Sequence, residues 1–475
     1  MHRRLELTAG NPVKRTKKLR QSEIRNPKSE IVALWLRTAR RHGEHPAVID
    51  ASSGHVTTFR ELHTRTVALA SQWPHSITGQ VVAFVLPNCV EWIARFLALQ
   101  SVGAAALPLD ASLPSTAHRA TAARMGAHWL WSDRKIIRLD ARHKIRTSAC
   151  CIKTTSGSTG DYKMVACHPC HLIADGRQII RTMGIRPGDR NLALIPLGHS
   201  YGLGNLVMPL ILQGTPLVLA PAFVPHQIAE WTRRFHATVF PSVPAIFRVL
   251  AETPSIRRLS PLRLAISAGA TLSPQIAVAF HRRFGIKIHN FYGSSETGGI
   301  CYDRTGNAAM KGGGVGRALD GVKVRCGLDG RIEVRSRAVV DGQGAGTSGR
   351  HILPDLGELD RQGGLRLVGR IGSVANIGGK KVHPSEIESA LRAMKGVADA
   401  WVTVKQDARG RDYLASAVET KRSRQEIEKT LGACLPTWKL PRQYLVIPRL
   451  PRTIRGKLDV TEVRAMLEAQ VAFWT

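Results

Sequence analysis

Between Thr154 and Val165 the chain reads TTSGSTGDYKMV, a run of short hydroxyl side chains and glycines closed by a lysine. Glycine lets successive main-chain N–H groups turn toward one anion, hydroxyls add donors, and lysine supplies a mobile point charge. Thr155, Ser156, Gly157, Ser158, Thr159, Gly160 and Lys163 therefore make a candidate phosphate cradle. It is not the GxxxxGK[ST] loop, because Lys163 follows Gly160 by three places and no Ser or Thr comes after it. By composition alone such a stretch is equally a surface connection.

A second constellation lies well over a hundred residues further on, FYGSSETGG from Phe291 to Gly299. An aromatic, a glycine, two hydroxyls and a carboxylate on one tight turn offer a ring for a base or acyl group and donors for an α-phosphate. Glu296 supplies a hard oxygen for a divalent cation.

Together these runs resemble the signatures of the adenylate-forming (AMP-binding) superfamily, which holds acyl- and aryl-CoA synthetases, luciferases and peptide-synthetase adenylation domains. Other segments match in the family's order from Ile31 to Asp459. PDLGELDRQGGLRLVGR places Asp355 and Arg370 where the family binds ribose, and a carboxylate suits two vicinal hydroxyls. SAGATLSP, with Gly269 and Ala270, resembles the turn along adenine, where Tyr292, Gly293 and Ser295 of the second motif also fall. IPLGHSYGLG puts His199 at the residue that gates the acyl pocket. IGGKKVHPSEIESAL resembles the opening of the C-terminal domain, and LPRTIRGKLD the terminal loop whose lysine, here Lys457, bridges carboxylate and ATP.

The resemblance implies ATP and Mg2+, the metal on Glu296, with coenzyme A or a carrier-protein phosphopantetheine as the accepting thiol. Lys457, Glu296, Lys163 and His199 are the catalytic candidates. The expected reaction is activation of a fatty or aryl carboxylic acid to an acyl-adenylate with loss of pyrophosphate, then transfer to the thiol. Amino-acid-selecting members usually hold the ammonium with an aspartate after the gating residue. The run His199-Ser200-Tyr201-Gly202 has no acid, which disfavours a stand-alone amino-acid adenylation domain. A catalytically silent binding protein of the same fold is the other alternative. Tyr162 and Met164 depart from the loop's usual proline and glycine, Gly372 from the usual hinge Asp or Lys, and Asn376 from a common lysine.

These residues need rigid elements to hold them. Ser29 to Arg41 and Thr57 to Ser71 carry apolar residues at helical spacing, the second opened by a capping hydroxyl. Val81 to Pro87, a helix with Val90, Ile93 and Leu97 on one face, and Ala104 to Asp110 form a strand–helix–strand unit, hence a parallel pair. Strand-like Cys151 to Thr154 leads into the phosphate loop. Asn191–Pro196, Pro216–Leu219, Thr238–Phe240 and Leu264–Ser267 continue the strands, alternating with helical His226–His236 and Pro274–Phe284. The expected fold is α/β, a large multi-layered N-terminal domain with parallel-type sheets plus a small mobile α+β C-terminal domain. The boundaries expected are a basic tail over 1–30, the ATP- and acid-binding domain over 31–370, and the small domain over 371–475 with a hinge near 371–373.

Composition sets the outer limits. A chain of 475 residues holds more than one core, and 43% hydrophobic content is that of a globular protein. No apolar run nears the roughly 20 residues of a bilayer span. The N-terminal segment lacks an apolar stretch of the secretory kind, so a cytoplasmic enzyme is expected. The 68 Lys and Arg against 35 Asp and Glu, a formal +33, are spread along the chain without a nucleic-acid module. Weak attraction to anionic surfaces, to CoA phosphates or to an acidic acyl carrier protein follows, with no specific nucleic-acid partner; the oligomeric state is left open. Eight scattered cysteines make no disulfide framework, and CxxCH at Cys167 to His171 lacks the second pair of a zinc site.

Overall fold

The computed structural model describes residues 29–73, 76–112, 114–132, 135–140, 145–156, 162–312, 314–340, 349–370, 375–377, 380–407, 411–453, 456 and 458–472. Apolar runs that read as buried strands become the centres of two sheets. In the six-stranded one, Val81–Val85 lies between Ala105–Leu109 and Trp129–Trp131, all parallel, with Cys151–Ser156 beyond Ala105–Leu109. Its edges, Ile136–Arg138 and Tyr162–Cys167, run antiparallel. The nine-stranded sheet has a parallel centre in the order Pro46–Asp50, Leu217–Leu219, Asn191–Ala193, Val239–Ser242, Leu264–Ser267, Ile288–Ser294. Strands covered on both faces carry side chains that shun water at nearly every position, which is why they read as continuous apolar runs.

Helices fill the space between the sheets. One apolar cluster joins Phe84 and Ala106 of the first sheet to Val48 and Leu217 of the second through Trp35, Phe59, Trp92 and Phe96. Each such ring, fully removed from water, stabilises by about 1.5–3 kcal/mol before entropy is counted. The helix expected over Thr57 to Ser71 runs Phe59–Ala70, its start fixed by Thr58, which accepts from the Glu61 N–H while Glu61 accepts from the Thr58 N–H.

Beyond Arg317 the pattern changes to an antiparallel four-stranded sheet, Lys323–Cys326, Arg331–Ser336, Gly349–Leu359 and Leu365–Arg370. A separate small C-terminal domain follows. Its sheet of Val397–Gln406, Asp412–Thr420 and Gln443–Ile447 packs with the helices Pro384–Ala393, Arg424–Cys434 and Val460–Ala472 around its own apolar clusters. The fold is thus mixed α/β with parallel sheets and a small C-terminal domain, as expected. The segment 371–373, with Gly372, and the basic tail lie outside the described residues. Among the described residues no helix is long and apolar enough to cross a membrane.

Candidate active site

In open parallel sheets the carboxyl ends of the strands border the ligand crevice. Four strands of the larger sheet end together here. Asn191–Ala193 leads to His199, Val239–Ser242 to a helix at Pro244, Leu264–Ser267 to Gly269 and Ala270, and Ile288–Ser294 to Ser295 and Glu296. The Ala268 N–H donates to Ser242 O at 3.2 Å, tying the adenine-type turn to the next strand.

The Phe291–Gly299 run is the hub. Tyr292 Oη donates to Asp355 Oδ2 at 2.7 Å, Ser200 and Ser295 share a hydroxyl hydrogen bond of 2.8 Å, and Lys163 Nζ donates to Glu296 Oε1 at 2.5 Å. Three stretches remote in the chain therefore converge on one turn. Asp355 and Arg370 face each other across the strands Gly349–Leu359 and Leu365–Arg370, with Arg370 Nε 3.5 Å from Asp355 Oδ1.

Electrostatics differ along this wall. Burial pushes the Glu296 carboxyl up, but the hydrogen bond and charge of Lys163, its own backbone N–H and the Ser294 hydroxyl together outweigh it and leave the group below its ordinary value. Burial and the Asp355 carboxylate hold the Tyr292 phenol far above its usual value, so it stays a donor. His351, on the strand facing this turn, is lowered by burial while Glu296 and Lys163 pull it in opposite directions.

The turn is held from behind by Asp175 of the helix Pro169–Met183. Asp175 Oδ1 accepts from the Gly299 N–H at 2.8 Å, and its carboxylate lies so close to Gly298 (φ +68°) that a Cβ there has no room. Beneath the phosphate loop, Lys153 is buried on the strand Cys151–Ser156; burial lowers it, and the nearby Cys167 and Asp175 outweigh that and raise it.

His199 precedes a short helical turn that passes into a π-helix at Leu203–Val207, a form that recurs at functional sites. The Tyr201 ring lies tilted against Phe291, centroids 5.7 Å apart, and its hydroxyl donates to Ile266 O at 2.9 Å, which closes the far side. Ser242 Oγ and Ser267 Oγ are buried there without a partner among the described residues.

Gly157, Ser158, Thr159, Gly160 and Lys457 lie outside the described residues, as do Gly378 and Gly379. Thr155 and Ser156 close the strand that enters the loop, pairing with Lys163 and Tyr162 of a return strand that sequence reading had taken for loop. Around Lys457, Arg452 and Leu458 form an antiparallel bridge, and the Gly456 N–H donates to Thr453 O at 2.8 Å. Gly456 lies beside Val243 and Ala245, which follow the strand Val239–Ser242 of the large domain.

Asp175 and His351 carry no motif in the sequence; only their packing against the hub reveals them. The CxxCH run proves to be the end of a strand and the start of a helix, where the His168 N–H donates to His171 Nδ1 at 3.3 Å. Among the described residues no group of three or more His, Cys, Asp or Glu gathers to hold a metal.

The model of the family described as AMP-binding enzyme matches residues 35–150 and 138–331, and that of its C-terminal domain residues 386–457. The chain belongs to the AMP-binding enzyme family. It is an acid–thiol ligase of the AMP-forming kind, and enzymes of this family use ATP and coenzyme A. Among the similar proteins, a sulfoacetate–CoA ligase of Cupriavidus necator is 25% identical over 90% of this chain and 96% of its own. The long-chain-fatty-acid–CoA ligase FadD13 of Mycobacterium tuberculosis is 25% identical over 87% and 95%. The ATP-bound crystal structure of MatB from Rhodopseudomonas palustris shares the fold, with a TM-score of 0.79 over 91% of this chain and 98% of that one at 22% identity.

Proposed function

We propose that this protein activates a small-molecule carboxylic acid with ATP and passes the acyl group to the thiol of coenzyme A. The observation that carries the reading is the hub itself, where Tyr292, Ser295 and Glu296 each bond to a different remote motif. A carboxylate is a poor electrophile. Its oxygen attacks the α-phosphorus of ATP, the bond from that phosphorus to the bridging oxygen breaks, and pyrophosphate leaves. Thiol sulfur then attacks the acyl carbon, AMP departs with one former carboxylate oxygen, and the thiol proton passes to solvent.

In this reading the 155–160 loop and Lys163 hold the phosphates, Asp355 and Arg370 the ribose, and Gly269, Ala270, Tyr292 and Gly293 the adenine and α-phosphate. His199 borders the acid, and Lys457 bridges it to ATP. Fixed donors aimed at developing phosphate charge supply most of the barrier lowering in such a site. Glu296 suits Mg2+, which takes one or two carboxylates and completes its shell with phosphate oxygens and water. The ion would neutralise phosphate charge there. Lys163 now holds the same oxygen through an exposed ammonium, a cation that can turn to a phosphate at small cost. The diversity of acids named among the relatives leaves the acid open, and a carrier-protein thiol is a second acceptor the same chemistry serves.

The test is pyrophosphate release from ATP and Mg2+ with a panel of short, long-chain, sulfonated and aryl acids. Acid-dependent release, followed by thioester on adding coenzyme A, is expected; silence with every acid in folded, ATP-binding protein overturns the reading.

A further inference from the structure

The helix Pro244–Glu252 touches the small domain at two points on one face. Near its start, Val243 and Ala245 meet Gly456, beside Lys457; three residues after Ala245, Arg248 Nη1 donates to Glu419 Oε1 of the small domain at 2.7 Å. Glu419 is not free for this contact alone. Its other oxygen accepts from Arg452 Nη2 at 3.1 Å, and the same Arg452 nitrogen lies 2.7 Å from Asp399 Oδ2. Asp399 in turn accepts from Arg392 Nε at 2.9 Å, and Arg392 Nη1 donates to Glu388 at 3.3 Å.

Arg452 is the residue at which the Lys457 hairpin begins, through its bridge to Leu458. The side chains of Arg248 and Glu419 are only 10% and 5% exposed, and Arg248 Nε has no partner among the described residues. A guanidinium left partly unsatisfied in a dry interface is a poor source of net stability, since replacing both partners of such a pair by apolar side chains is often neutral, whereas removing one alone strands the other. What such a pair does well is fix geometry. It is complete in one arrangement of two bodies, and when they part both charges return to water, which makes the contact reversible.

We propose that Arg248 is a positioning residue for Lys457. It acts through Glu419 and Arg452 to hold the terminal loop against Val243 and Ala245, the arrangement that serves acid activation, and it lets go for thioester formation. This rests on the reading that Lys457 serves the first half-reaction, so the test has one arm that needs no activity.

Arg248→Met and Arg248→Lys are compared with the unaltered protein by hydrogen exchange of the full chain. Arg248→Met is expected to raise exchange about tenfold or more over 452–458 and 243–246 while leaving the core strand 264–267 unchanged, and Arg248→Lys to restore most of the protection. Exchange unchanged in both segments, or raised equally in the core strand, overturns the proposal. In the kinetic arm, acid-dependent pyrophosphate exchange in Arg248→Met falls about tenfold or more, whereas thioester formation from supplied acyl-adenylate stays within about twofold. Equal loss in both half-reactions overturns it. Should the unaltered protein activate no acid, the function proposed above fails and the exchange arm alone decides the role of Arg248.

Discussion

Two polar networks, one along the ligand wall and one between the large and small domains, are built on opposite principles. Along the ligand wall, Lys163 and Arg370 are 59% and 68% exposed, Lys163 against Glu296 and Arg370 against Asp355. At the domain interface, Arg248, Arg392 and Arg452 are 10–17% exposed and share three carboxylates, Glu419, Asp399 and Glu388, in an unbroken chain. Exposed pairs of the first kind contribute about 0–1 kcal/mol and yield readily to a ligand. Buried pairs of the second kind add little net stability, yet losing one partner strands a charge in a dry place. The wall is made to exchange partners, the interface to register two bodies.

That contrast separates what mutations should do. If Lys457 serves the first half-reaction as proposed, replacing it by alanine should lower acid activation about 10²–10³-fold with the unfolding midpoint unmoved. Pyrophosphate exchange beside a thermal melt measures both. Asp399→Asn does the reverse: it leaves Arg392 and Arg452 without their shared anion and should destabilise by about 2–3 kcal/mol, less than a wholly dry pair because Asp399 keeps some water contact, read by urea unfolding.

Asp355→Ala should leave stability within about 0.5 kcal/mol and weaken ATP about ten- to hundredfold, the worth of hydrogen bonds to a charged group, as titration calorimetry would record. A large loss of stability there would show that the wall is structural after all. The smallest effect concerns acid. Glu296 is held below its ordinary value of 4.5, so its pairing with Lys163 stabilises fully above that pH and is lost as the pH falls through the lowered value. Lys163→Met should flatten that acid limb of the stability curve by under about 1 kcal/mol, since Lys163 is well exposed.

How much of this was legible in the sequence follows the same division. Apolar runs such as Val81–Val85 and Ala105–Leu109 announce buried parallel strands, and a capping hydroxyl announces the helix Phe59–Ala70 to within two residues of its start. The wall residues stood out because hydroxyls, glycines and charges cluster in short runs around them. That Lys163 meets Glu296, 133 positions away, is a matter of tertiary geometry. The return strand Tyr162–Cys167 is hard to read because, of its described side chains, Val165 and Cys167 are the buried ones and the glycine-rich neighbour hides the alternation. The interface network left no trace at all. Arg248 sits in an amphipathic helix where an arginine is ordinarily solvated, and its partner is 171 residues on.

The claim on which the account rests is that carboxylate oxygen attacks the α-phosphorus of ATP in this crevice. With an acid from the panel labelled by 18O in its carboxyl group, mass spectrometry of the AMP released during thioester formation tests it directly. One 18O carried into AMP is the result expected. Label absent from AMP, or found in pyrophosphate or phosphate, would contradict it.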